Sequence, residues 1–393
     1  MFASLSIALG LLLFQNPEEA GPYQVAVQDV THFDNHYSRG NVEARVYYPT
    51  GTSDGPFPLT AFMHGWIEPA SDYDELCTHI ASHGFVVYSN DTETSVFGAL
   101  QGEASDTRAG LQWVEDQSAT AGTWLYQLTD NQPWTAIGHS MGAAAVADLC
   151  RREPRVEHAV LLEPYKGWLL GNTTTAFNWF SNFSGPALVI AGDEDLTNNW
   201  SSQVKPWYNT ANGTSRRVWG LIDGGDHFGC TDADIHSLWG FGSLSESEQH
   251  KAHRRLVTSF LYAEVLNNEN YYYDALTTHY TDVEASSSST PVWLMIDPTN
   301  PAQLEMGTFT TASSTVRFAA SPATAFRTSI FGDILLDLNL MQIISNSTAP
   351  SNGIVSNSLP INASWSGMTL YMQTLASQSH SGSISRLCEI LIP

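Results

Sequence analysis

Short, nearly continuous apolar runs recur between residues 44 and 222, and most of them end in a turn rich in glycine or polar residues. The clearest runs are Ala44–Tyr48, Phe57–Met63, Trp134–Ile137, Pro186–Ala191 and Arg217–Ile222. Such runs are typical of strands buried on both faces of a parallel sheet. Helix-forming stretches accompany them, such as Ala143–Leu149 and the amphipathic Ser245–Leu266. The pattern predicts an α/β fold, a mostly parallel sheet flanked by helices.

The pattern changes after about residue 280. Residues Glu284–Thr290 form a polar, serine-rich stretch that reads as a linker. Beyond Pro291 the chain has no lysine, and short segments with a strand-like alternation follow one another. These segments are Val292–Ile296, Thr315–Ala319, Thr328–Ile334, Ile354–Ser358 and Thr369–Gln373. We therefore expect a catalytic domain over 21–283, a linker over 284–290 and a small all-β, sandwich-like accessory domain over 291–393.

The first residues predict export. Met1–Phe14 is an apolar run that ends at a polar break, Gln15–Glu19. The run is too short to span a membrane and fits the apolar region of a signal peptide, although no basic residue precedes it. We expect residues 1–20 to be a signal peptide with a short polar segment. The mature protein is then secreted, periplasmic or held at the cell surface, without insertion into the membrane.

One motif indicates a nucleophile. Residues Gly138–Gly142 read G-x-S-x-G, directly after the apolar run Trp134–Ile137 and directly before the alanine-rich stretch Ala143–Leu149. A strand that turns sharply into a helix needs small residues on both sides of the turn. This context predicts that Ser140 is a catalytic nucleophile.

A serine nucleophile needs a base and an acid that orients the base. The run Pro186–Ala191 leads into two candidate acids, Asp193 and Asp195, and we favour Asp195. The run Arg217–Ile222 leads into a glycine-rich loop that contains His227, the predicted base among 13 histidines. The order Ser, Asp, His is that of the α/β-hydrolases.

The oxyanion of a tetrahedral intermediate needs two fixed donors. One is expected from the backbone N–H of Met141, the residue after the nucleophile. The other is expected from the backbone N–H of Trp66, in the segment His64-Gly65-Trp66 that follows an early strand. The Trp66 ring would then line the acyl pocket, unless it is a core aromatic residue.

These motifs resemble the α/β-hydrolase superfamily. Within it, residues 25–280 are similar to the dienelactone-hydrolase-like, chlorophyllase-like and cutinase or polyester-hydrolase-like enzymes. The similarity rests on Ala44–Pro49, His64–Trp66, Ala81–Val87, Gly138–Gly142, Gly192–Asp195 and Asp223–Phe228. The resemblance implies the α/β-hydrolase fold. In polyester hydrolases an aromatic residue follows the oxyanion glycine, as Trp66 does here, and a tryptophan follows the sixth strand. This chain departs from that pattern with Tyr165, and Trp168 comes three residues later. Trp66, Tyr165 and Trp168 are the implied substrate contacts.

The net charge of the chain restricts the classes of partner that it is expected to bind. The formal net charge is −24, from 16 basic and 40 acidic residues. Such a surface repels phosphate, which argues against nucleic acid and anionic lipid as partners. We expect a monomer. The four cysteines Cys77, Cys150, Cys230 and Cys388 allow three disulfide pairings, and the sequence selects none. His227, Cys230, Asp232, Asp234 and His236 could be considered as metal ligands, but their spacing matches no strong zinc pattern.

The sequence therefore predicts a secreted serine hydrolase that cleaves carboxylic esters through an acyl-enzyme, with no cofactor and no metal. The substrate is a small-molecule or polymeric ester. Two alternatives stay open. One is a peptidase or amidase that uses the same triad, and the other is a surface-binding or adhesion protein with a vestigial hydrolase domain.

Overall fold

The structure is a computed structural model. It describes residues 16–129, 133–166, 173–211, 216–232, 241–268, 271, 283–287, 292–296, 303–309, 314–329, 332–336, 341–349, 354–361, 365–378, 381–384 and 388–391. The apolar run of the expected signal peptide, the aromatic residue Trp168 and residues 288–290 of the expected linker lie outside these ranges.

A nine-stranded sheet organises the chain up to residue 287. Its strands are β1 (Gln24–Phe33), β2 (Asn41–Thr50), β3 (Leu59–Met63), β4 (Val86–Asn90), β5 (Trp134–His139), β6 (Val156–Leu162), β7 (Ala187–Gly192), β8 (Arg217–Ile222) and β9 (Val283–Ser287). They lie in the order β1-β2-β4-β3-β5-β6-β7-β8-β9. Strands β3 to β8 are parallel to their neighbours within that group, whereas β1, β2 and β9 are antiparallel additions at the edges. The predicted mostly parallel sheet is confirmed.

Helices cover both faces of this sheet. They are α1 (Asp74–Ser82), α2 (Leu100–Ala119), α3 (Met141–Arg152), α4 (Thr173–Phe180), α5 (Lys205–Thr210) and α6 (Glu246–Glu264). Ile80 of α1 and Phe260 of α6 belong to the apolar core on one face. Leu111 of α2 and Val146 of α3 belong to the core on the other face. Burying one such side chain stabilises the fold by about 1.5–3 kcal/mol.

Two cysteines mark the two faces. Cys77 lies on α1 and Cys150 on α3, and these helices flank opposite faces of the sheet. Both thiols are free, and so is that of Cys230. A disulfide between Cys77 and Cys150 is therefore absent from the described residues, because the sheet separates the two helices.

The described part of the C-terminal region is built from strands. They are β10 (Val292–Ile296), β11 (Gln303–Phe309), β12 (Thr315–Ser321), β13 (Thr324–Ser329), β14 (Gly332–Leu336), β15 (Gln342–Thr348), β16 (Ile354–Pro360), β17 (Thr369–Gln378), β18 (Ser381–Ile384) and β19 (Cys388–Leu391). One sheet has the order β10-β11-β16, another has the order β15-β12-β17-β18 with β19 also on β17, and β13 pairs with β14. Leu304, Phe318 and Met372 share an apolar core there.

One strand prediction in this region is wrong. We expected a single strand over Thr328–Ile334, but the segment contains the end of β13 and the start of β14, and Ser329 pairs with Gly332. The chain therefore reverses direction inside the segment. The intervening residues Ile330 and Phe331 are apolar, so the strand-like pattern in the sequence shows no break between the two strands.

The first residues of the expected linker form a strand. Residues 284–287 are part of β9, and Glu284 pairs with Leu221 of β8. Their backbone completes the edge of the main sheet, so they are not a free connection between domains. The boundary between the two domains itself stays a prediction. Among the described residues, no helix is long and apolar enough to cross a membrane.

Candidate active site

Ser140 lies at the turn between β5 and α3. Its backbone has φ 54° and ψ −112°, a combination that residues other than glycine rarely adopt. The turn depends on the two glycines that flank it. A Cβ on Gly138 would lie 2.5 Å from the backbone of Gly142, and a Cβ on Gly142 would lie 2.3 Å from the carbonyl oxygen of Met63. The strained turn presents the serine hydroxyl beyond the C-terminal end of the sheet.

The structure brings the predicted triad residues together. His227 Nε2 lies 3.0 Å from Ser140 Oγ, and His227 Nδ1 lies 2.9 Å from Asp195 Oδ2. The backbone N–H groups of Thr197 and Asn198 donate to Asp195 Oδ1 at 2.8 and 2.7 Å, which fixes the carboxylate. All three triad side chains are buried. The arrangement can move a proton from the serine hydroxyl to the imidazole and stabilise the resulting imidazolium.

The two candidate acids have different partners. Asp193 Oδ1 accepts a hydrogen bond from the backbone N–H of Gly224 at 2.7 Å, so it closes the turn after β8. Asp195 reaches the imidazole instead. The acid loop and the histidine loop approach closely at Gly192, where a Cβ would lie 2.3 Å from the carbonyl oxygen of Gly225. Among the described residues, the carboxylate that contacts His227 Nδ1 is that of Asp195.

The two expected oxyanion donors lie at the same end of the sheet. Met141 is the first residue of α3, and Trp66 follows β3. Within the described part of the chain, neither backbone N–H donates a hydrogen bond to a protein group. Gly65 precedes Trp66, and a Cβ there would lie 1.9 Å from Glu68 Oε2, so a larger residue would displace the Glu68 carboxylate.

A buried network that the sequence did not indicate supports the site. We call Glu68, Tyr73 and His139 the Tyr73 network. The Tyr73 hydroxyl donates to Glu68 Oε2, accepts from the backbone N–H of Gly65 at 2.8 Å and lies 2.7 Å from His139 Nδ1. His139 Nε2 donates to the carbonyl oxygen of His227 at 2.8 Å. The network therefore joins the Trp66 loop, the serine turn and the histidine loop.

A second buried pair lies beside the triad. His253 Nε2 on α6 lies 3.0 Å from Glu163 Oε1, and His253 Nδ1 lies 2.8 Å from the carbonyl oxygen of Gln249. Glu163 directly follows β6, and its backbone φ is 43°. Asn198, beside the acid loop, donates to the carbonyl oxygen of Glu163 at 2.8 Å. No motif marks Glu163 or His253, because their contact joins residues that are 90 positions apart.

Two of the candidate metal ligands, His139 and Glu163, already contact other protein groups. His139, Glu163 and Cys230 place one ligand atom each within 4.8 Å of one another. Both ring nitrogens of His139 already lie against protein groups, and Glu163 Oε1 accepts from His253. Of the residues that the sequence offered as metal ligands, His227 contacts Asp195 and Ser140, and Asp234 and His236 lie outside the described residues.

The charges around His227 favour its protonated form. Burial alone lowers the pKa of His227, but the Asp195 carboxylate, with smaller contributions from Glu163 and Glu68, raises the pKa above its ordinary value. A raised pKa strengthens the imidazole as a base and shifts the pH at which it becomes available upward.

The rim of the site is apolar. Exposed side chains follow β3, β4 and β7 at this end of the sheet, namely Trp66, Ile67, Val96, Phe97 and Leu196. The Trp66 indole N–H donates to the carbonyl oxygen of Val96 at 3.3 Å, which joins two of these loops. Tyr165 is half-buried, and its backbone N–H donates to the carbonyl oxygen of Ser140 at 3.1 Å. The expected contact Trp168 lies outside the described residues.

Comparison with known proteins gives a consistent result. A family model described as PETase, PET hydrolase-like, matches residues 17–241. A bis(hydroxyethyl) terephthalate hydrolase of Streptomyces coelicolor is 27% identical over 213 residues, which cover 53% of this chain and 61% of that protein. Cutinase 1 of Thermobifida cellulosilytica is 26% identical over 219 residues, which cover 54% of this chain and 77% of the relative. A cutinase of Thermobifida fusca is 26% identical over 54% of this chain and 67% of its own length.

Proposed function

Because the chain belongs to the PET hydrolase-like family, we propose that it is a secreted serine hydrolase that cleaves carboxylic esters. The relatives are named for ester hydrolysis, and the sheet and helices fit an α/β-hydrolase. The single observation that carries the proposal is the contact chain from Ser140 through His227 to Asp195, with distances of 3.0 and 2.9 Å.

The proposed reaction has two halves. His227 Nε2 accepts the proton of Ser140 as Oγ attacks the ester carbonyl carbon, and the imidazolium then gives that proton to the departing alcohol. Water next attacks the acyl-enzyme, while His227 accepts a proton from the water and returns it to Ser140 Oγ. Asp195 orients the imidazole and stabilises its charged form through the contact at Nδ1. The carboxylic acid leaves, and no cofactor or metal takes part.

The backbone N–H groups of Trp66 and Met141 are the proposed oxyanion donors. Negative charge develops on the carbonyl oxygen as the tetrahedral intermediate forms, and two fixed N–H donors stabilise it more than they stabilise the uncharged ester. Both N–H groups are without a protein acceptor in the described residues, which supports this role.

The apolar rim supports an ester with a substantial apolar part. Trp66, Tyr165 and Trp168 are the proposed substrate contacts, of which Trp168 lies outside the described residues. The substrate can be a small molecule or a polymer, and the acidic surface argues against nucleic acid and membrane partners. We further propose that the enzyme acts as a monomer and that the strands from β10 onward form a sandwich-like accessory domain.

A substrate panel tests the proposal. Wild type and Ser140→Ala would be assayed with short and long p-nitrophenyl esters, an aromatic polyester, a polysaccharide acetate and the matching p-nitroanilides. We expect the wild type to hydrolyse esters and the variant to lose at least about a thousandfold in kcat, because the nucleophile is gone. Faster cleavage of the anilides would favour an amidase or peptidase. Turnover by the variant within tenfold of wild type would contradict the role of Ser140.

A further inference from the structure

His64 is a buried imidazole enclosed by main-chain carbonyls. Its ring Nδ1 lies 2.8 Å from the carbonyl oxygen of Gly65, and its Nε2 lies 2.6 Å from the carbonyl oxygen of Thr92. Its side chain is fully buried, so water does not share these contacts. The ring therefore bridges the loop after β3, which carries Trp66, and the loop after β4.

These contacts specify a protonation state. A carbonyl oxygen only accepts hydrogen bonds, and a neutral imidazole has one N–H donor and one nitrogen lone pair. A neutral His64 would therefore direct a lone pair at one of the two carbonyl oxygens. Both contacts are hydrogen bonds only when both ring nitrogens carry a proton, as in the imidazolium ion.

A counter-ion is buried next to the ring. Glu103 on α2 is fully buried, and its Oε1 lies 3.9 Å from His64 Nε2. Neither carboxylate oxygen of Glu103 has a hydrogen-bond partner among the described residues. An ionised carboxylate in such a place needs a nearby positive charge. Among the described residues, the ring of His64 is the charged partner that lowers the pKa of Glu103, and the backbone N–H of His64 also lowers it, although burial still raises that pKa to about 7.

The remaining charges nearby are mostly acidic. Glu68 and Asp72 face His64 from the loop after β3 and from the turn that follows it, and Glu93 and Asp106 face Glu103. Arg39 forms ion pairs with Glu93 and Asp106, which offsets their charge. Burial alone lowers the pKa of His64, but Glu103, the two carbonyl oxygens and Glu68 raise it.

The carbonyl of Gly65 matters because of the peptide to which it belongs. The C=O of Gly65 and the N–H of Trp66 are in the same planar trans peptide, so they point in opposite directions. His64 Nδ1 holds that carbonyl at 2.8 Å, and the backbone N–H of Glu68 also donates to it at 3.3 Å. With the carbonyl held on one side, the N–H of Trp66 is directed to the other side.

From this juxtaposition we propose that the buried His64–Glu103 ion pair positions the Trp66 oxyanion donor. The inference rests on the proposed function, in which Trp66 N–H stabilises the oxyanion. His64 is a positioning residue, because it contacts the donor's peptide and not the substrate. The imidazolium holds the Gly65–Trp66 peptide in one orientation, and Glu103 keeps the imidazole charged. Loss of the Nδ1 proton removes the hydrogen bond to the Gly65 carbonyl and lets the peptide turn, whereas loss of the Nε2 proton removes the hydrogen bond to the Thr92 carbonyl.

The test compares two amide variants on one helix. Glu103→Gln removes the charge beside His64, and Glu115→Gln makes the same change near the other end of α2, where Glu115 contacts Trp134 and Arg155. Each variant's kcat and KM for a soluble p-nitrophenyl ester would be measured from pH 6 to pH 10. Thermal melts would first establish that both variants unfold cooperatively.

We expect Glu103→Gln to lower kcat by about ten- to a hundredfold at pH 8 with KM within about twofold, since loss of one oxyanion donor costs on the order of 10²–10³ in kcat. The difference in kcat between Glu103→Gln and Glu115→Gln should become smaller as the pH falls toward 6, because a lower pH favours the protonated form of His64 even without its counter-ion. Glu103→Asp, which keeps the charge, should restore most of the activity at pH 8. Profiles of Glu103→Gln and Glu115→Gln that superimpose after scaling would overturn the proposal.

A measurement on the wild-type protein that does not depend on activity tests the proposal even if the variants do not fold. Nitrogen NMR of the wild-type protein labelled at histidine reports whether each ring nitrogen carries a proton, and the His64 signals are those missing from His64→Gln. We expect both nitrogens of His64 to be protonated at pH 7.5. A neutral tautomer at that pH would overturn the proposal. If the wild type neither hydrolyses esters nor reacts with a fluorophosphonate, the proposed function fails, and the NMR result still decides the state of the pair.

Discussion

The loop after β8 and helix α6 each bury a histidine paired with a carboxylate, yet the two imidazoles face different groups. His227 contacts Asp195 through Nδ1 and the Ser140 hydroxyl through Nε2. His253 contacts Glu163 through Nε2 and the carbonyl oxygen of Gln249 through Nδ1. A hydroxyl can give up its proton to an imidazole, whereas a carbonyl oxygen has none to give.

The comparison shows that burial and a carboxylate partner do not make a base. His253 Nδ1 faces a carbonyl oxygen and Nε2 faces the Glu163 carboxyl group, so its two contacts join α6 to the end of β6. His227 can lose its Nε2 proton and still accept a hydrogen bond from Ser140. The same chemical pair therefore serves structure in one place and, on our proposal, catalysis in the other.

The largest expected effect tests the difference between His227 and His253 directly. His227→Ala should lower kcat for a soluble ester by at least about a thousandfold, because the serine loses its base, with a small change in melting temperature. His253→Ala is the matched control, and the folded enzyme should keep kcat within about tenfold. Steady-state kinetics and thermal melts of both variants check the prediction.

The control variant, His253→Ala, is expected to be less stable than the wild type. His253→Ala leaves Glu163 as a buried carboxylate without its partner, which typically costs about 3–5 kcal/mol of folding free energy. Urea unfolding measures this loss. Equal losses of kcat in the two variants, at equal folded fraction, would contradict the division between a catalytic and a structural histidine.

The next effect concerns the acid. Asp195→Asn should lower kcat by about 10³–10⁴, because the imidazolium loses its charged partner and the imidazole loses its correct tautomer. Asp193→Asn is the matched control, since Asp193 accepts from the backbone N–H of Gly224 and does not contact His227. We expect its kcat to stay within about tenfold of wild type. A reversal of the two results would make Asp193 the acid.

A smaller effect appears in the pH profile. The pKa of His227 is raised, and the proposed mechanism needs the neutral imidazole, so kcat/KM should fall as the pH drops through that pKa. The acid limb of kcat/KM for a non-ionisable ester is therefore expected at a midpoint above about 6.5, the ordinary histidine value. Asp195→Asn should move this midpoint to lower pH. A wild-type midpoint near 5 would show that the carboxylates do not raise the pKa of His227.

The smallest expected effect is on the C-terminal strands. The proposed triad and both proposed oxyanion donors lie before residue 228, and both histidine pairs lie before residue 254. A chain that ends near Thr290 retains β9 and should hydrolyse a soluble ester at close to the full-length rate. Comparison of the two chains at equal folded concentration checks this expectation. Aggregation of the shortened chain would show that the later strands stabilise the main sheet.

The parts of the fold that could be predicted are those marked by a pattern of residues close together in the sequence. The apolar runs that became β5, β7 and β8 are buried on both faces, so each run is continuous and easy to recognise. The serine turn could also be predicted, because its steric limits require glycine at positions 138 and 142. The single strand predicted over Thr328–Ile334 was wrong, because the apolar pattern of the sequence shows no break between the end of β13 and the start of β14.

The supporting groups of the site could not be predicted in this way. Tyr73 and His139 are 66 positions apart, and Glu163 and His253 are 90 positions apart, so no spacing in the sequence connects them. Only the folded chain brings these residues together. Glu103 gives a further example, because a glutamate on a helix is usually exposed, and its complete burial beside His64 follows from tertiary packing.

The most direct test of the central claim is covalent labelling of the wild-type protein. The protein would be treated with a fluorophosphonate at pH 8, digested and mapped by mass spectrometry, with His227→Ala treated in parallel. The account predicts one adduct per chain, on Ser140, with simultaneous loss of esterase activity and labelling that is at least about a hundredfold slower in the variant. An adduct on another residue, or full esterase activity after Ser140 is labelled, would contradict the account.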